Sequence, residues 1–194
     1  MADEQHDPAK ERERFSRDAM AHLDRLYTLA YHLAKRPEDA QDILQETYAR
    51  ALAAYKQFTP GTSMKAWLTR ILYNFFYDHY ADKKRWLSFE DNLSFENERA
   101  AQWEKTGNNN PGPEGHFLKS ELQTQITEAL KQLPEKFRVP ILLVDMGDLS
   151  YAEAAEILCC PVGTIRSRLS RSRRLLYKQL RDYVIDESKG DREK

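Results

Sequence analysis

The chain has 194 residues, 41% of them apolar and 31% charged, with a formal net charge of -1, so it can bury a core as one or two compact domains but is not basic throughout. Any contact with nucleic acid must come from local patches. Residues 1–17 lack the apolar core of a secretion signal and no stretch approaches the roughly twenty apolar residues of a membrane span, which predicts a cytoplasmic protein without membrane insertion.

Apolar residues recur at helical spacing, with almost no period-2 alternation, on both sides of a glycine and proline cluster at 107–115. The expected fold class is therefore all-α, with two small helical domains joined by a linker. The first domain is expected over 14–87. One helix should run over about 14–34. Pro37, followed by Glu38 and Asp39 near the positive dipole end, starts a second helix over 38–55. Its inward stripe is Ala40, Ile43, Leu44, Thr47 and Ala51; Asp39, Asp42, Gln45, Glu46 and Arg50 share the outer side. Taken alone, that outer row is an ordinary polar face.

Residues 58–63, F-T-P-G-T-S, break the helix. A third helix over 64–85 is dense in aromatics. Trp67, Ile71, Leu72, Phe75 and Phe76 are expected mostly in the core, because helical aromatic stripes usually pack inward. Tyr73, Tyr77 and Tyr80 remain as candidates for contact with unpaired bases. The helix ends in Lys83, Lys84 and Arg85, three cations suited to phosphates.

Residues 88–116 read as an acidic flexible linker: between 88 and 105 Glu90, Asp91, Glu96, Glu98 and Glu104 face only Arg99 and Lys105. The second domain is expected over 117–185. A helix over 118–133 repeats Leu122, Ile126, Ala129, Leu130 and Leu133 at three and four, and Pro134 stops it. Another over 135–145 tolerates Pro140 in its first turns, and residues 146–149 turn the chain. Ser150 and Glu153 then form an S-x-x-E capping box, in which each side chain can bond the other's backbone N–H.

A three-residue turn, Cys159, Cys160 and Pro161, leads into a second helix, with Gly163 expected to let the two helices approach closely. From Ile157 to Arg181 there are seven Arg or Lys residues and no Asp or Glu. Val162, Ile165, Leu169, Leu176 and Leu180 fall on one side of this helix. Arg166, Ser167, Ser170, Arg171, Arg174 and Lys178 form the opposite stripe, where guanidinium groups can read guanine edges in a major groove and the neighbouring cations meet phosphates. An isolated basic helix is more often a solvated face; the helix-turn-helix context shifts the reading to DNA.

The adjacent cysteines have no Cys-X-X-Cys or zinc spacing, and buried packing is the expected role for both, since no activating cluster adjoins them. The five histidines are scattered. No nucleophile, base and orienting carboxylate assemble, so no enzyme, metal, cofactor or small-molecule substrate is expected.

The stretch L-S-Y-A-E-A-A-E-I-L-C-C-P-V-G-T-I-R-S-R-L-S-R-S-R-R-L-L, with its core P-V-G-T-I-R-S-R, resembles region 4 of the extracytoplasmic-function sigma factors, two-domain specificity subunits of bacterial RNA polymerase. Independently, P-E-D-A-Q-D-I-L-Q-E-T-Y-A-R-A-L followed by F-T-P-G-T-S-M-K-A-W-L-T-R-I-L-Y-N resembles region 2 of that family. The resemblance covers most of 27–180 and implies an alternative sigma factor that binds core polymerase and directs promoter-specific initiation. It implies that Asp39, Asp42, Gln45, Glu46 and Arg50 dock on the clamp helices of the largest polymerase subunit. It also implies that the loop with Pro60, Gly61, Thr62 and Ser63, together with Asn74, captures a base flipped from the minus-10 element. Tyr77, Lys83, Lys84 and Arg85 would assist there. Arg166, Ser167, Ser170 and Arg171 would read the minus-35 element as duplex, with Arg168, Arg173, Arg174 and Lys178 tracking its backbone. Family members are commonly held by an anti-sigma factor, a partner the resemblance also implies. The rival readings are a helix-turn-helix regulator acting alone on duplex DNA and a helical adaptor facing an acidic protein.

Overall fold

The computed structural model describes residues 8–80 and 124–190, with side chains described only within 9–80 and 124–181. The linker 88–116, the start of the helix expected from 118, and the cations Lys83, Lys84 and Arg85 lie outside the described residues. Among the described residues every regular element is helical. The order is α1 (Pro8–Met20), α2 (Leu23–Ala34), α3 (Pro37–Ala53), a 3-10 turn (Tyr55–Gln57) and α4 (Met64–His79). After the gap come α5 (124–132), α6 (Glu135–Ile141), a π turn (Leu142–Met146), α7 (Tyr151–Ile157) and α8 (Val162–Gly190).

The single helix expected over 14–34 is two helices, and the first begins at Pro8. No glycine or proline breaks it. The chain turns at Ala21 and His22, and the buried residues on either side, Phe15 and Ala19 toward α4 and Leu26, Leu29, Ala30 and Leu33 where α2 meets α3 and α4, keep one helical spacing across the break. Pro37 opens α3 as expected, with Arg36 extended before it, and Ala40, Ile43, Thr47 and Ala51 are fully buried. Together with Leu26, Leu29, Leu68 and Leu72 they form the first core, each full aliphatic burial contributing about 1.5–3 kcal/mol. Tyr73 is corrected from surface to core, since it is 5% exposed and burial pushes its phenol far above the ordinary range.

In the second half Leu130, Leu133, Val139, Leu142, Leu143, Ile157, Ile165 and Leu169 are buried together. Pro140 sits inside α6, and the helix expected through 145 widens instead into the π turn directly after it. Proline lacks an N–H and crowds the preceding turn, and a widened turn is a common way for a helix to absorb the disturbance. The turn closes with the Gly147 N–H donating to the Leu142 carbonyl at 2.8 Å. A β-carbon at Gly147 would lie 2.5 Å from the Leu143 carbonyl oxygen, with backbone that cannot swing away. Gly147→Ala is therefore expected to destabilise the protein by about 1–3 kcal/mol, read as a lowered urea midpoint, while a Gly163→Ala control, whose β-carbon meets nothing within 4 Å, leaves the midpoint unchanged or higher. That open space corrects the role expected of Gly163: it is exposed and makes no close helix approach.

Candidate nucleic-acid interface

The loop 58–63 is short and internally tied. Gly61 has φ +88, a backbone shape that favours glycine. The Thr62 N–H and hydroxyl both donate to the Thr59 carbonyl, at 3.2 and 2.7 Å. Ser63 adopts the extended conformation of an N-cap and accepts from the Ala66 N–H at 3.1 Å, starting α4. Thr59, Pro60, Gly61 and Thr62 remain exposed around these bonds. Further along α4, Asn74 is exposed and Tyr77 half-buried, its ring stacked on Tyr73 at 6.3 Å.

The outer row of α3 is largely solvent-facing: Asp42, Gln45 and Arg50 are exposed, Asp39 and Glu46 partly so. Arg50 donates to Glu46 at 2.7 Å and its guanidinium lies 4.7 Å over the Phe75 ring. Tyr80, grouped by sequence with base-contacting tyrosines, is exposed as expected and borders this face, its ring 6.1 Å from that of Phe75, which Arg50 covers. It stacks on Phe76 at 6.3 Å, and slight desolvation with the nearby charges of Asp42 and Asp39 raises its phenol. The acids and Tyr80 thus form one surface, with an aromatic anchor beside a charged row.

On the second half, Ser150 and Glu153 close the capping box expected of them: the Ser150 N–H donates to the Glu153 carboxylate at 2.7 Å and the Glu153 N–H to the Ser150 hydroxyl at 3.2 Å. α7 ends when Cys159 takes a left-handed φ of 49 and the Cys160 N–H reaches back to the Ala155 carbonyl at 3.1 Å. This is the 6→1 bond of a Schellman closure, made without glycine. Cys159 is exposed, contrary to the expected buried packing of both cysteines, while Cys160 is half-buried and burial raises its thiol.

α8 then presents Arg166, Ser170, Arg171, Arg174 and Lys178 as exposed residues, and Ile165 and Leu169 as fully buried ones. Three members of the sequence-derived set stand apart. Ser167 is half-buried and donates to the Thr164 carbonyl at 3.0 Å. Arg168 is half-buried, close enough to Tyr73 for its charge to act on that phenol. Arg173 grips both oxygens of Asp145, at 3.0 and 2.7 Å, and this bidentate bond raises its pKa further. A wheel places Ser167 on the basic face, and the family resemblance adds Arg168 and Arg173; neither reading sees Asp145 across the π turn. Ser172, absent from that reading, is fully buried with its hydroxyl 2.6 Å from the Phe137 carbonyl and 2.7 Å from that of Arg168, so it can donate to either and ties α8 to α6.

The two halves meet along the loop side of α4. Asp148, with a left-handed φ of 53, accepts from Lys65 at 2.9 Å and Arg25 at 3.2 Å, and its carbonyl takes a further bond from Lys65. The bond and charge of Lys65, then those of Arg25, hold the Asp148 carboxyl below its usual range. Arg70 pairs with Glu156 at 3.1 Å. Burial pushes the Glu153 carboxyl up, but the Ser150 backbone and hydroxyl, the Ser63 hydroxyl and Lys65 outweigh it and hold it low. The resulting cleft has Thr62, Trp67 and Arg70 on one wall and Glu153, Glu156 and Ile157 on the other. Sequence reasoning missed this seam; its only local signal is the charge complementarity of Lys65 and Arg70 with Asp148 and Glu156.

The chain matches the family profile described as Sigma-70 region 2 over residues 19–86 and that described as Sigma-70, region 4 over 123–176. It is 35% identical over 167 residues to the ECF RNA polymerase sigma factor SigE of Mycolicibacterium smegmatis, a match covering 86% of this chain and 60% of that protein. With the ECF RNA polymerase sigma factor EcfG of Rhodopseudomonas palustris it shares 35% identity over 156 residues, 80% of this chain and 79% of the relative. A solved structure of the sigma factor RpoE in complex with the anti-sigma factor NepR from Bartonella quintana superposes with a TM-score of 0.64 at 30% identity, covering 87% of this chain and 98% of that one.

Proposed function

The chain belongs to the extracytoplasmic-function sigma factors of RNA polymerase, and we propose that its two helical halves divide promoter recognition and opening between them. It acts as an alternative sigma factor that directs promoter-specific transcription initiation, with catalysis left to the polymerase in the cytoplasm. The first half, 14–87, docks through Asp39, Asp42, Gln45, Glu46 and Arg50, with Tyr80 as the apolar anchor a charged rim needs. Its loop Pro60, Gly61, Thr62 and Ser63, with Asn74 and Tyr77, receives a base freed from the minus-10 element, and Lys83, Lys84 and Arg85 meet phosphates. Holding the flipped base offsets an unstacking cost of a few kcal/mol. The second half, 117–185, reads the minus-35 element as duplex.

The observation that carries this reading is the exposed arginine and serine stripe of α8 in the same chain as an exposed, internally braced loop. Within the stripe, Arg166, Ser170 and Arg171 fit base reading and Arg174 and Lys178 the backbone. Ser167, Arg168 and Arg173, as they stand, fit bracing of α8 better than contact. The likeness to a sigma factor solved with its anti-sigma factor supports a similar inhibitory protein partner for this chain. A run-off transcription assay with core polymerase tests the whole: the chain should start transcripts from promoters that core enzyme alone ignores, and failure to associate with core enzyme would refute the reading.

A further inference from the structure

Helix α1 lies almost wholly ahead of the region 2 match, which begins at residue 19. One of its side chains is nonetheless built into the base of the loop. Phe15 is 7% exposed, and its ring centroid lies 5.8 Å from that of Trp67, edge-on at 89°, 6.0 Å from Phe58 and 6.1 Å from Tyr55. Phe58 and Trp67 meet each other at 5.6 Å. Phe58 opens the loop and Trp67 stands in the first turn of the helix that the loop feeds. Both stems therefore close on one phenyl ring brought from outside. A second tie fixes the helix that carries it: the Tyr48 hydroxyl of α3 donates to the carbonyl of Ala19, itself buried, at 3.0 Å.

We propose that Phe15 is a positioning residue for promoter opening, and that α1 acts as a strut holding loop 58–63 in the shape that receives a flipped base. The loop's internal bonds bend it at Thr59 and Thr62 and cap α4 at Ser63, but they do not set how the bend sits on the domain. The aromatic cluster does, and Phe15 is the member that touches the other three. Aromatic contacts of this geometry are directional as well as apolar. A loop already held in its bound shape spends less of the binding energy on ordering itself when the base arrives. Apart from Phe15, Ser16 and Ala19, the α1 residues from Ala9 to Met20 are exposed, so its buried apolar contribution comes from Phe15 and, one turn on, the small side chain of Ala19.

The inference rests on the sigma-factor reading, and the test separates the two. Holoenzyme made with Phe15→Ala or Phe15→Leu is compared with wild type for core polymerase affinity, for binding of a minus-35 duplex, and for binding of a single-stranded non-template minus-10 oligonucleotide. Phe15→Leu keeps the site apolar and guards against a variant that fails to fold. The expected result is a selective loss of single-strand binding, about tenfold for Phe15→Ala and smaller for Phe15→Leu, with the other two affinities unchanged. Equal losses in all three would mark Phe15 as merely structural and overturn the proposal, as would no loss in any. A wild-type holoenzyme that bound no single strand would instead refute the functional reading itself.

Discussion

Leu169→Ala is expected to remove about 2–5 kcal/mol from the stability of the second half. Leu169 is 1% exposed and packs in the same cluster as Ile165, Leu142 and Leu143. Truncation would leave a cavity that the surrounding leucines fill only partly. No base-facing atom changes, because Leu169 is buried in the core while Arg166 and Ser170 are exposed. Upstream duplex binding should nevertheless fall with the folded population, and cooling should restore it in step with the melting curve. Thermal unfolding followed by circular dichroism, with duplex binding measured across the same temperatures, checks the expectation; binding that stayed low below the transition would contradict it.

Arg166→Ala should act in the opposite way, leaving stability alone and changing recognition. Arg166 is exposed and near the start of α8, where a recognition helix reaches base edges. Losing a bidentate contact to guanine is expected to cost about 1–3 kcal/mol, roughly 5- to 150-fold in affinity, and to relax preference at one position of the element. Lys178→Ala, a little over three turns on, should weaken all sequences about equally and reduce the salt slope by about one. A panel of duplexes varied one position at a time, each titrated at two salt concentrations, distinguishes the two outcomes. A uniform loss for Arg166→Ala would move that residue from reading to positioning.

Local chemistry was legible from the letters of the chain. The Ser150 and Glu153 box, the proline start of α3 and the inward row of Ala40, Ile43, Thr47 and Ala51 depend on residues at most eleven apart, and each is found as expected. The basic stripe was legible as a face, but its membership was not. Arg173, expected on the DNA backbone, is held instead by Asp145, a partner 28 positions away that no local pattern announces. The break between α1 and α2 left no trace because Ala21 and His22 are unremarkable helix formers and the buried positions on either side keep one helical spacing through it. Phe15 was equally silent, since nothing in its immediate neighbourhood announces that Tyr55, Phe58 and Trp67 will close around it.

The Glu153 carboxylate does two jobs with one group. It completes the start of α7 through Ser150 and, across the seam, receives the Ser63 hydroxyl, which at the same time accepts from the Ala66 N–H to begin α4. Two helix starts in different halves of the molecule thus share a single hydroxyl and a single carboxylate. Substitutions at Ser63 and Glu153 will be non-additive, and a change meant to alter the loop will also be felt, through this shared pair, at the first turn of the helix-turn-helix.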